Sequence, residues 1–254
     1  MIEDRKETPD YGNWVPLKFI YISGAVSLLF LILAFLFLPA IVLFGLLFLV
    51  SLYFAYARYL FSLRGGNVQD KIYEILLSSL NWNGTGQALD IGCGNAPLTI
   101  KLALKYKGAR VVGIDYWGKT WEYSKETCEE NVVMEGVAGR VTFQKASASK
   151  LPFEDGYFDV VVSNLVFHTV SDTKDKRDLI REALRVVRKG GRFAFQDLFL
   201  FKRFYGETDD FIATIRSWGV TKVKFVKTCK APFIPKVLRL PFMVGTMGII
   251  SGEK

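Results

Sequence analysis

The chain has 254 residues, of which 50% are hydrophobic, and a formal net charge of +8. It is long enough to bury one substantial core. Basic residues are not interleaved with aromatic ones as in a single-strand binding platform, so no nucleic acid partner is expected. The three cysteines (Cys93, Cys128 and Cys229) are odd in number and lack paired metal spacing. This excludes a paired-cysteine metal centre and favours a reduced compartment.

The first third of the chain is dominated by an apolar run. No charged residue occurs between Phe19 and Ala57, which is typical of membrane segments. One helix of that length would reach about 58 Å, against a hydrocarbon core of about 30 Å. Pro39 lies almost at the midpoint and disfavours a helical conformation at Leu38. The sequence therefore predicts two transmembrane helices, about 18–38 and 40–62, in a hairpin over residues 18–64.

The flanking charges predict the orientation of this hairpin. Lys18 precedes the first helix, and Arg58 and Arg64 lie at the end of the second. Both ends therefore favour the cytoplasmic face, with residues 1–17 as an N-terminal cytoplasmic segment. Attraction to anionic lipid headgroups also accounts for the net positive charge. Because the turn at Pro39 carries no polar residue, a re-entrant hairpin that stops within the far leaflet is the alternative.

Residues 65–254 alternate between strand and helix patterns. An amphipathic helix at 67–80 follows the Gly65–Gly66 pair. Such alternation implies a parallel sheet covered on both faces. Strands are predicted at 87–91, 110–114, 140–145, 158–163 and 191–197, and helices at 97–107, 119–135 and 174–188.

A glycine turn follows the first of these strands, in the stretch Ala88 to Pro97. Glycine at 92 and 94 permits positive φ and lets backbone N–H groups approach a ligand closely. Pro97 suits the first turn of the next helix. A ligand at this turn would meet a helix N-terminus, which favours a carboxylate or a phosphate.

A carboxylate ends the second predicted strand. Asp115 lies about 20 residues beyond the glycine turn, where an acid can accept both ribose hydroxyls of a nucleoside. The alternative role for Asp115 is to cap the next helix.

Four stretches in this order resemble the class I S-adenosylmethionine (SAM) dependent methyltransferases, in particular methyltransferase-11-like domains. They are 89–94, 112–115, 151–164 and 184–193, and the resemblance covers roughly residues 67–254. It implies an α/β fold with a seven-stranded Rossmann-like sheet, SAM as cofactor and methyltransferase activity. Segments 223–228 and 248–253 would be the sixth and seventh strands, the seventh antiparallel. Their connection, 231–245, is either an ordinary packed loop or a substrate lid that also touches lipid.

The resemblance also assigns cofactor contacts. The family commonly has Asp where this chain has Ser147, which puts the usual contact to the adenine amine in doubt. By position, the expected contacts are Asp90, Gly92, Cys93 and Gly94 for the amino acid portion, Asp115 for the ribose, Tyr116, Ser147 and Ala148 for adenine, and Asn164 and Leu165 along the path to the acceptor.

His168 and Asn164 are the candidate catalytic residues. His168 is the single histidine and lies just beyond the fourth strand, so it is either a general base or a structural residue. No Asn-Pro-Pro-Tyr signature is present, which favours an oxygen, sulfur or carbon acceptor.

These features together predict a membrane-anchored methyltransferase that acts on a small lipophilic acceptor at the cytoplasmic face of the lipid bilayer. The alternatives are a phospholipid-headgroup, protein or RNA methyltransferase, and a SAM-binding membrane scaffold without activity. The sequence does not indicate an oligomeric state.

Overall fold

The computed structural model describes residues 8–118 and 123–254. The chain divides into two compact units. Residues 13–72 form one unit. Residues 73–254 form the other, together with the N-terminal residues, of which 8–12 are described. The division therefore falls within helix α3 (Val68–Ser78), not at the Gly65–Gly66 pair.

The smaller unit contains a pair of apolar helices, α1 (Leu17–Leu33) and α2 (Ala40–Phe61). They run antiparallel, since the Ser51 hydroxyl donates to the Ile20 carbonyl at 3.0 Å. Helix α1 ends at Leu33 and not near residue 38, because the chain reverses direction in turns between Leu33 and Pro39. Within the described residues, α2 alone is both long and apolar enough to cross a bilayer, with a mean hydropathy of 2.3.

The larger unit is built on a seven-stranded sheet of order β3-β2-β1-β4-β5-β7-β6. Strand β7 is antiparallel to both of its neighbours, β5 and β6, and the other pairs are parallel. The expected α/β fold with seven strands is confirmed. The strands are β1 (Thr85–Ile91), β2 (Gly108–Asp115), β3 (Val141–Lys145), β4 (Phe158–Asn164), β5 (Val187–Asp197), β6 (Lys222–Val226) and β7 (Gly248–Glu253).

Helices connect the strands close to the predicted positions. Helix α5 begins at Lys125, where the Ser124 side chain caps it by accepting from Thr127 N at 3.1 Å. The predicted start of this helix, residues 119–122, lies outside the described residues. The remaining helices of this unit are α4 (Pro97–Lys105), α6 (Lys176–Arg185), α7 (Lys202–Tyr205) and α8 (Thr208–Ser217).

Several loops meet at the carboxyl ends of the parallel strands. Strand order reverses between β1 and β4, which is where open α/β sheets form a ligand crevice. The β6–β7 connection begins and ends at this same edge, because Asp197 pairs with Gly248 and Val226 pairs with Ile249.

The turn after β1 has room for glycine alone at position 92. Gly92 has a φ of +74°, and a Cβ there would lie 2.0 Å from Cγ2 of Val166, in the loop after β4. Ala96 is left-handed, which the sequence did not indicate, and Pro97 begins α4, where the helix start is predicted. The turn after β1 and the loop after β4 therefore approach each other as closely as their backbones permit.

Replacing Gly92 by alanine tests this close approach. Gly136→Ala is the matched control, because Gly136 has a φ of +68° with no atom within 4 Å of its Cβ position. The control should lose only the left-handed strain, about 1–2 kcal/mol of unfolding free energy. Gly92→Ala should lose roughly 1–3 kcal/mol more through overpacking against Val166. Chemical denaturation of both variants measures the difference, and equal losses would contradict the close approach.

Candidate active site

The glycine turn is held against the end of β2. The backbone N–H groups of Gly92 and Cys93 both donate to the Ile114 carbonyl, at 2.7 and 2.9 Å. The next N–H along the chain, that of Gly94, donates to Oδ2 of Asp115 at 2.9 Å. Three successive donors of the turn therefore converge on two residues of the neighbouring strand.

Asp115 lies beside this turn, as expected of a residue that contacts ribose. Its Oδ1 accepts from the Trp117 N–H at 2.8 Å. Each oxygen thus accepts one backbone N–H and retains capacity for a hydroxyl donor. The indole of Trp117 donates in turn to the Gly94 carbonyl at 3.0 Å, a contact that the sequence did not reveal.

Tyr116, the candidate for adenine stacking, is 65% exposed. The ammonium group of Lys145 lies 5.3 Å from the centre of its ring. The ring is therefore on the surface and not in the core, so one face of it is accessible to a ligand. Stacking on adenine stays a prediction.

Asp90 lies beneath the turn and is almost completely buried. The Thr99 hydroxyl, in the first part of α4, donates to its carboxylate at 2.6 Å. The pKa of Asp90 is raised to about 7: burial raises it, the hydrogen bond from Thr99 lowers it, and the charge of Asp115 raises it. The side chain of Asp90 therefore contacts α4, and its role toward the cofactor stays a prediction.

Cys93 is also buried, together with Cys128 of α5. The Cys128 thiol donates to the Gly94 carbonyl at 3.0 Å. Burial, followed by the neighbouring Cys128, raises the pKa of the Cys93 thiol. Cys93 is therefore protonated and packs as a small apolar residue, with only its backbone available to a ligand.

A carboxylate adjoins Ser147, where the related family commonly has aspartate. The Ser149 hydroxyl donates to Oδ2 of Asp172 at 2.6 Å, and the Ser147 hydroxyl donates to the same oxygen at 3.3 Å. These hydroxyls, Ser149 first, lower the pKa of Asp172. Asp172 is exposed, whereas Ala148 is buried. Because Asp172 lies in the loop after β4, its nearness to Ser147 could not be read from sequence.

The ends of β4 and β5 are joined through polar side chains. The Asn164 side-chain oxygen accepts from the Gln196 amide at 2.9 Å, and Gln196 is fully buried. The next residue, Leu165, has a left-handed φ of +59°, and its N–H donates to the Gln196 carbonyl at 2.8 Å. Both residues predicted along the path to the acceptor therefore have their positions fixed by β5.

His168 pairs with an aspartate that the sequence analysis missed. Its Nδ1 lies 2.7 Å from Oδ1 of Asp197, the last residue of β5. Asp197 is fully buried, whereas 23% of the His168 side chain is exposed. Since a carboxylate accepts, Nδ1 is the donor and Nε2 is the ring nitrogen able to take up a proton.

A groove with mixed lining lies beside this pair. Its volume is about 350 Å³. The ring of Phe204, which lines it, stacks on His168 with 6.4 Å between ring centres. The groove is lined by Lys174, Asp175, Arg177, Arg203, Phe204, Tyr205 and Gly206.

Within residues 8–118 and 123–254, histidine, cysteine, aspartate and glutamate do not gather into a group of three or more that could hold a metal ion.

Comparisons with known proteins agree with the geometry of this edge. Residues 89–195 match the methyltransferase domain family. The 27-O-demethylrifamycin SV methyltransferase of Amycolatopsis mediterranei is 37% identical over 130 residues, which are 51% of this chain and 45% of that protein. The chain thus spans less than half the length of this relative.

Two solved structures share the fold. A geranyl diphosphate C-methyltransferase from Streptomyces coelicolor, with S-adenosyl-L-homocysteine bound, has a TM-score of 0.54 and 13% identity, and the match covers 72% of this chain and 78% of that one. The [4+2]-cyclase SpnF has the same TM-score with 16% identity, covering 73% of this chain and 80% of its own. Residues 89–195 therefore carry a methyltransferase domain of the kind that uses SAM as its cofactor.

Proposed function

We propose that this protein is a membrane-anchored, SAM-dependent methyltransferase that acts on an oxygen, sulfur or carbon atom of a small lipophilic acceptor at the cytoplasmic membrane face. The observation that carries the proposal is the His168–Asp197 pair, which lies at the same sheet edge as the glycine turn and Asp115. This edge therefore has both a base for the acceptor and a place for a nucleoside.

The residues of the edge fit the cofactor. Gly92 and Gly94 contribute no side chain of their own to the turn, and each Asp115 oxygen keeps a lone pair for a ribose hydroxyl. Asp172, held by Ser147 and Ser149, offers a carboxylate for the adenine amine in place of the family's aspartate. The departure at Ser147 is thereby compensated by a residue from another loop.

The His168–Asp197 pair, called the dyad below, has a defined part in methyl transfer. Bound SAM would supply an electrophilic methyl group, and His168 Nε2 would take the proton that the acceptor atom loses when it is methylated. Asp197 holds the imidazole in orientation and stabilises its charged form, as carboxylates do in other acid–base pairs.

Exposed apolar side chains support a lipophilic acceptor. Phe242 and Leu240 of the β6–β7 connection are 66% and 39% exposed, while Ile234, Leu238 and Val244 of the same connection are buried. The connection is thus a packed loop with an apolar outer surface at the edge that carries the dyad. This surface suits a lid that contacts the acceptor or lipid.

The apolar helices support the membrane anchor. Helix α2 has 22 residues, and Phe35, Leu36 and Leu38 in the turn before it are each more than 70% exposed. Helix α1 has only 17 residues and reaches about 25 Å. Because that is shorter than the hydrocarbon core, a re-entrant hairpin remains the alternative to two helices that span the membrane.

An alternative function is a SAM-binding protein without methyl transfer. The fold is shared with the [4+2]-cyclase SpnF, so fold alone does not specify methyl transfer. Phospholipid headgroups, proteins and RNA are alternative acceptors. Turnover of labelled SAM on a membrane lipid extract separates a lipid-methylating enzyme from an inactive SAM-binding protein and from an enzyme that acts on protein or RNA. The identity of the labelled product separates a phospholipid headgroup from another lipophilic acceptor.

Substituting the dyad tests the proposed base. His168→Asn should lower methyl transfer about 10²–10⁴-fold, because no group then takes the acceptor's proton. Asp197→Asn should also lower it, since the imidazole loses its partner. Labelled methyl transfer by each variant, compared with the parent protein, measures both effects.

Thr169→Ala is the control for the dyad. Thr169 lies next to His168, and its hydroxyl donates to the Val166 carbonyl at 2.7 Å. The control should keep its rate, and SAM affinity should be similar in all variants. Unchanged turnover in folded His168→Asn would assign the histidine a structural role.

The raised pKa of Asp90 predicts a pH dependence of SAM affinity. Below about pH 7 the carboxyl is largely neutral, whereas positively charged SAM favours its ionised form. SAM affinity should therefore rise roughly three- to tenfold from about pH 6 to about pH 8. In the absence of SAM, the free energy of unfolding should depend on pH in the opposite direction to SAM affinity. The neutral Asp90 carboxyl stabilises the fold at low pH, and this contribution is lost as the pH rises through about 7.

Calorimetric titration of SAM at several pH values measures this linkage. Asp90→Asn should remove the dependence. The hydrogen bond from Thr99 lowers the pKa of Asp90. Thr99→Val removes this bond, so the pH dependence of SAM affinity should move to higher pH. An affinity independent of pH in the parent protein would show that Asp90 does not sense the cofactor.

A charge in α2 tests the anchor. Leu49→Arg places a cation near the middle of α2 and should disfavour membrane insertion by about 2.5–3.5 kcal/mol. Leu63→Arg, beyond the end of α2 at Phe61, is the control and should insert normally. The measurement is the fraction that resists alkaline extraction from membranes. Complete extraction of the parent protein would rule out the anchor.

A further inference from the structure

Residues 10–12 lie against the glycine turn and α5; we call them the N-terminal strap. The side-chain amide of Asn131, in α5, contacts the strap at both backbone polar groups of Asp10. Its Oδ1 accepts from Asp10 N at 2.9 Å, and its Nδ2 donates to Asp10 O at 3.0 Å. The same Nδ2 donates to the Asn95 carbonyl at 2.9 Å. One side chain therefore joins the strap to the turn after β1.

Asn95 contributes to the same junction. It is buried next to the turn, and its Nδ2 donates to the Asp10 carbonyl at 3.1 Å. Its Oδ1 accepts from the Ser124 N–H, at the start of α5, at 3.2 Å. Asn131 is itself fully buried. Unpaired amides at such depth are costly, so these side chains specify one position for the strap.

Two further contacts hold the strap. The Tyr11 hydroxyl donates to Glu135, just beyond α5, at 2.6 Å. At Gly12, a Cβ would lie 3.0 Å from Cε1 of Tyr123. The Tyr123 ring is also 3.5 Å from the Cβ position of Gly94. Tyr123 is therefore next to both the strap and the glycine whose N–H faces Asp115.

We propose that Asn131 is a positioning residue for the cofactor and that the N-terminal strap covers the amino acid end of SAM at the glycine turn. The inference rests on the proposed cofactor site at Gly92 and Gly94. With the strap in place, SAM is retained at the turn, and release requires the strap to detach from Asn131. The strap thereby sets how long SAM stays bound.

The strap also bears on the chain's two-part organisation. It is followed directly by Asn13 and then by the residues of α1. Truncating the chain before α3 to obtain a soluble enzyme would therefore remove the strap together with the apolar helices. A truncated protein is accordingly expected to fold around the same sheet yet to release SAM faster.

Dissociation of labelled SAM from the full-length protein in lipid nanodiscs tests the proposal. Asn131→Asp keeps the shape but replaces the donor to Asp10 O and Asn95 O by an acceptor. It should speed SAM dissociation roughly 10- to 30-fold. Tyr11→Phe removes one contact of the strap and should speed dissociation roughly threefold. Asn83→Ala is the control: Asn83 accepts from Thr85 N at the amino end of β1, and its loss should leave the rate unchanged.

Thermal unfolding of each variant is measured in parallel. Faster dissociation in folded Asn131→Asp and Tyr11→Phe supports the strap. Lower stability with an unchanged dissociation rate assigns Asn131 to packing alone and overturns the proposal. Should Asn131→Asp fail to fold, an unchanged rate in Tyr11→Phe overturns it. If the parent protein does not bind SAM, the proposed function itself fails, which is a different result.

Discussion

The carbonyl of Ile114 accepts two backbone N–H groups from the turn after β1, and the next N–H in that turn is bound by Asp115. These three bonds fix the turn in a conformation with positive φ at Gly92 and Gly94. That conformation brings the turn so close to Val166 that a side chain at position 92 has no room. The β1 turn, the end of β2 and the loop after β4 are therefore placed by one local constraint.

Buried polar groups gather at this edge, although each would be costly without a partner. Gln196 is bound by Asn164 and Thr228, and Asp197 is bound by His168 and by the Leu198 N–H. Apolar side chains at these positions would stabilise the fold without the cost of a buried polar group that loses its partner. Partnered polar groups at the carboxyl ends of β4 and β5 instead fix the orientation of side chains that face a ligand crevice.

Local pattern predicted much of the fold. Strand β7 and the α4 start at Pro97 occur where the sequence indicated, since alternation, glycine and proline are local signals. Helix α1 proved shorter than its apolar run, because hydrophobicity alone does not mark where the chain turns. The glycine turn and Asp115 were visible for the same local reason, through spacing along neighbouring elements.

The partners of the site residues were not visible in the sequence. Asp197 lies 29 positions from His168, Asp172 lies 25 positions from Ser147, and Asn131 lies 121 positions from Asp10. Each pair meets only because the strand order brings distant segments to one edge. The spacing of residues in the sequence predicts which side chains meet within one βα unit. It does not predict which side chains meet across the sheet, because that depends on the strand order.

The outer surface of this edge has exposed apolar side chains that bear on the class of the acceptor. Phe201 follows β5, and Leu240 and Phe242 belong to the β6–β7 connection; all three are exposed. Their segments begin or end beside Asp197 and Gly248, which pair across the sheet. A water-soluble, polar acceptor would not require such a surface, whereas an acceptor dissolved in lipid must leave an apolar environment to reach His168. Exposed apolar side chains at this edge would lower the free-energy cost of that transfer, because the apolar surface of the proposed acceptor would stay out of water. The base requires an acceptor with a removable proton, and the apolar surface suits the proposed lipophilic one, so the two features are compatible with a single acceptor.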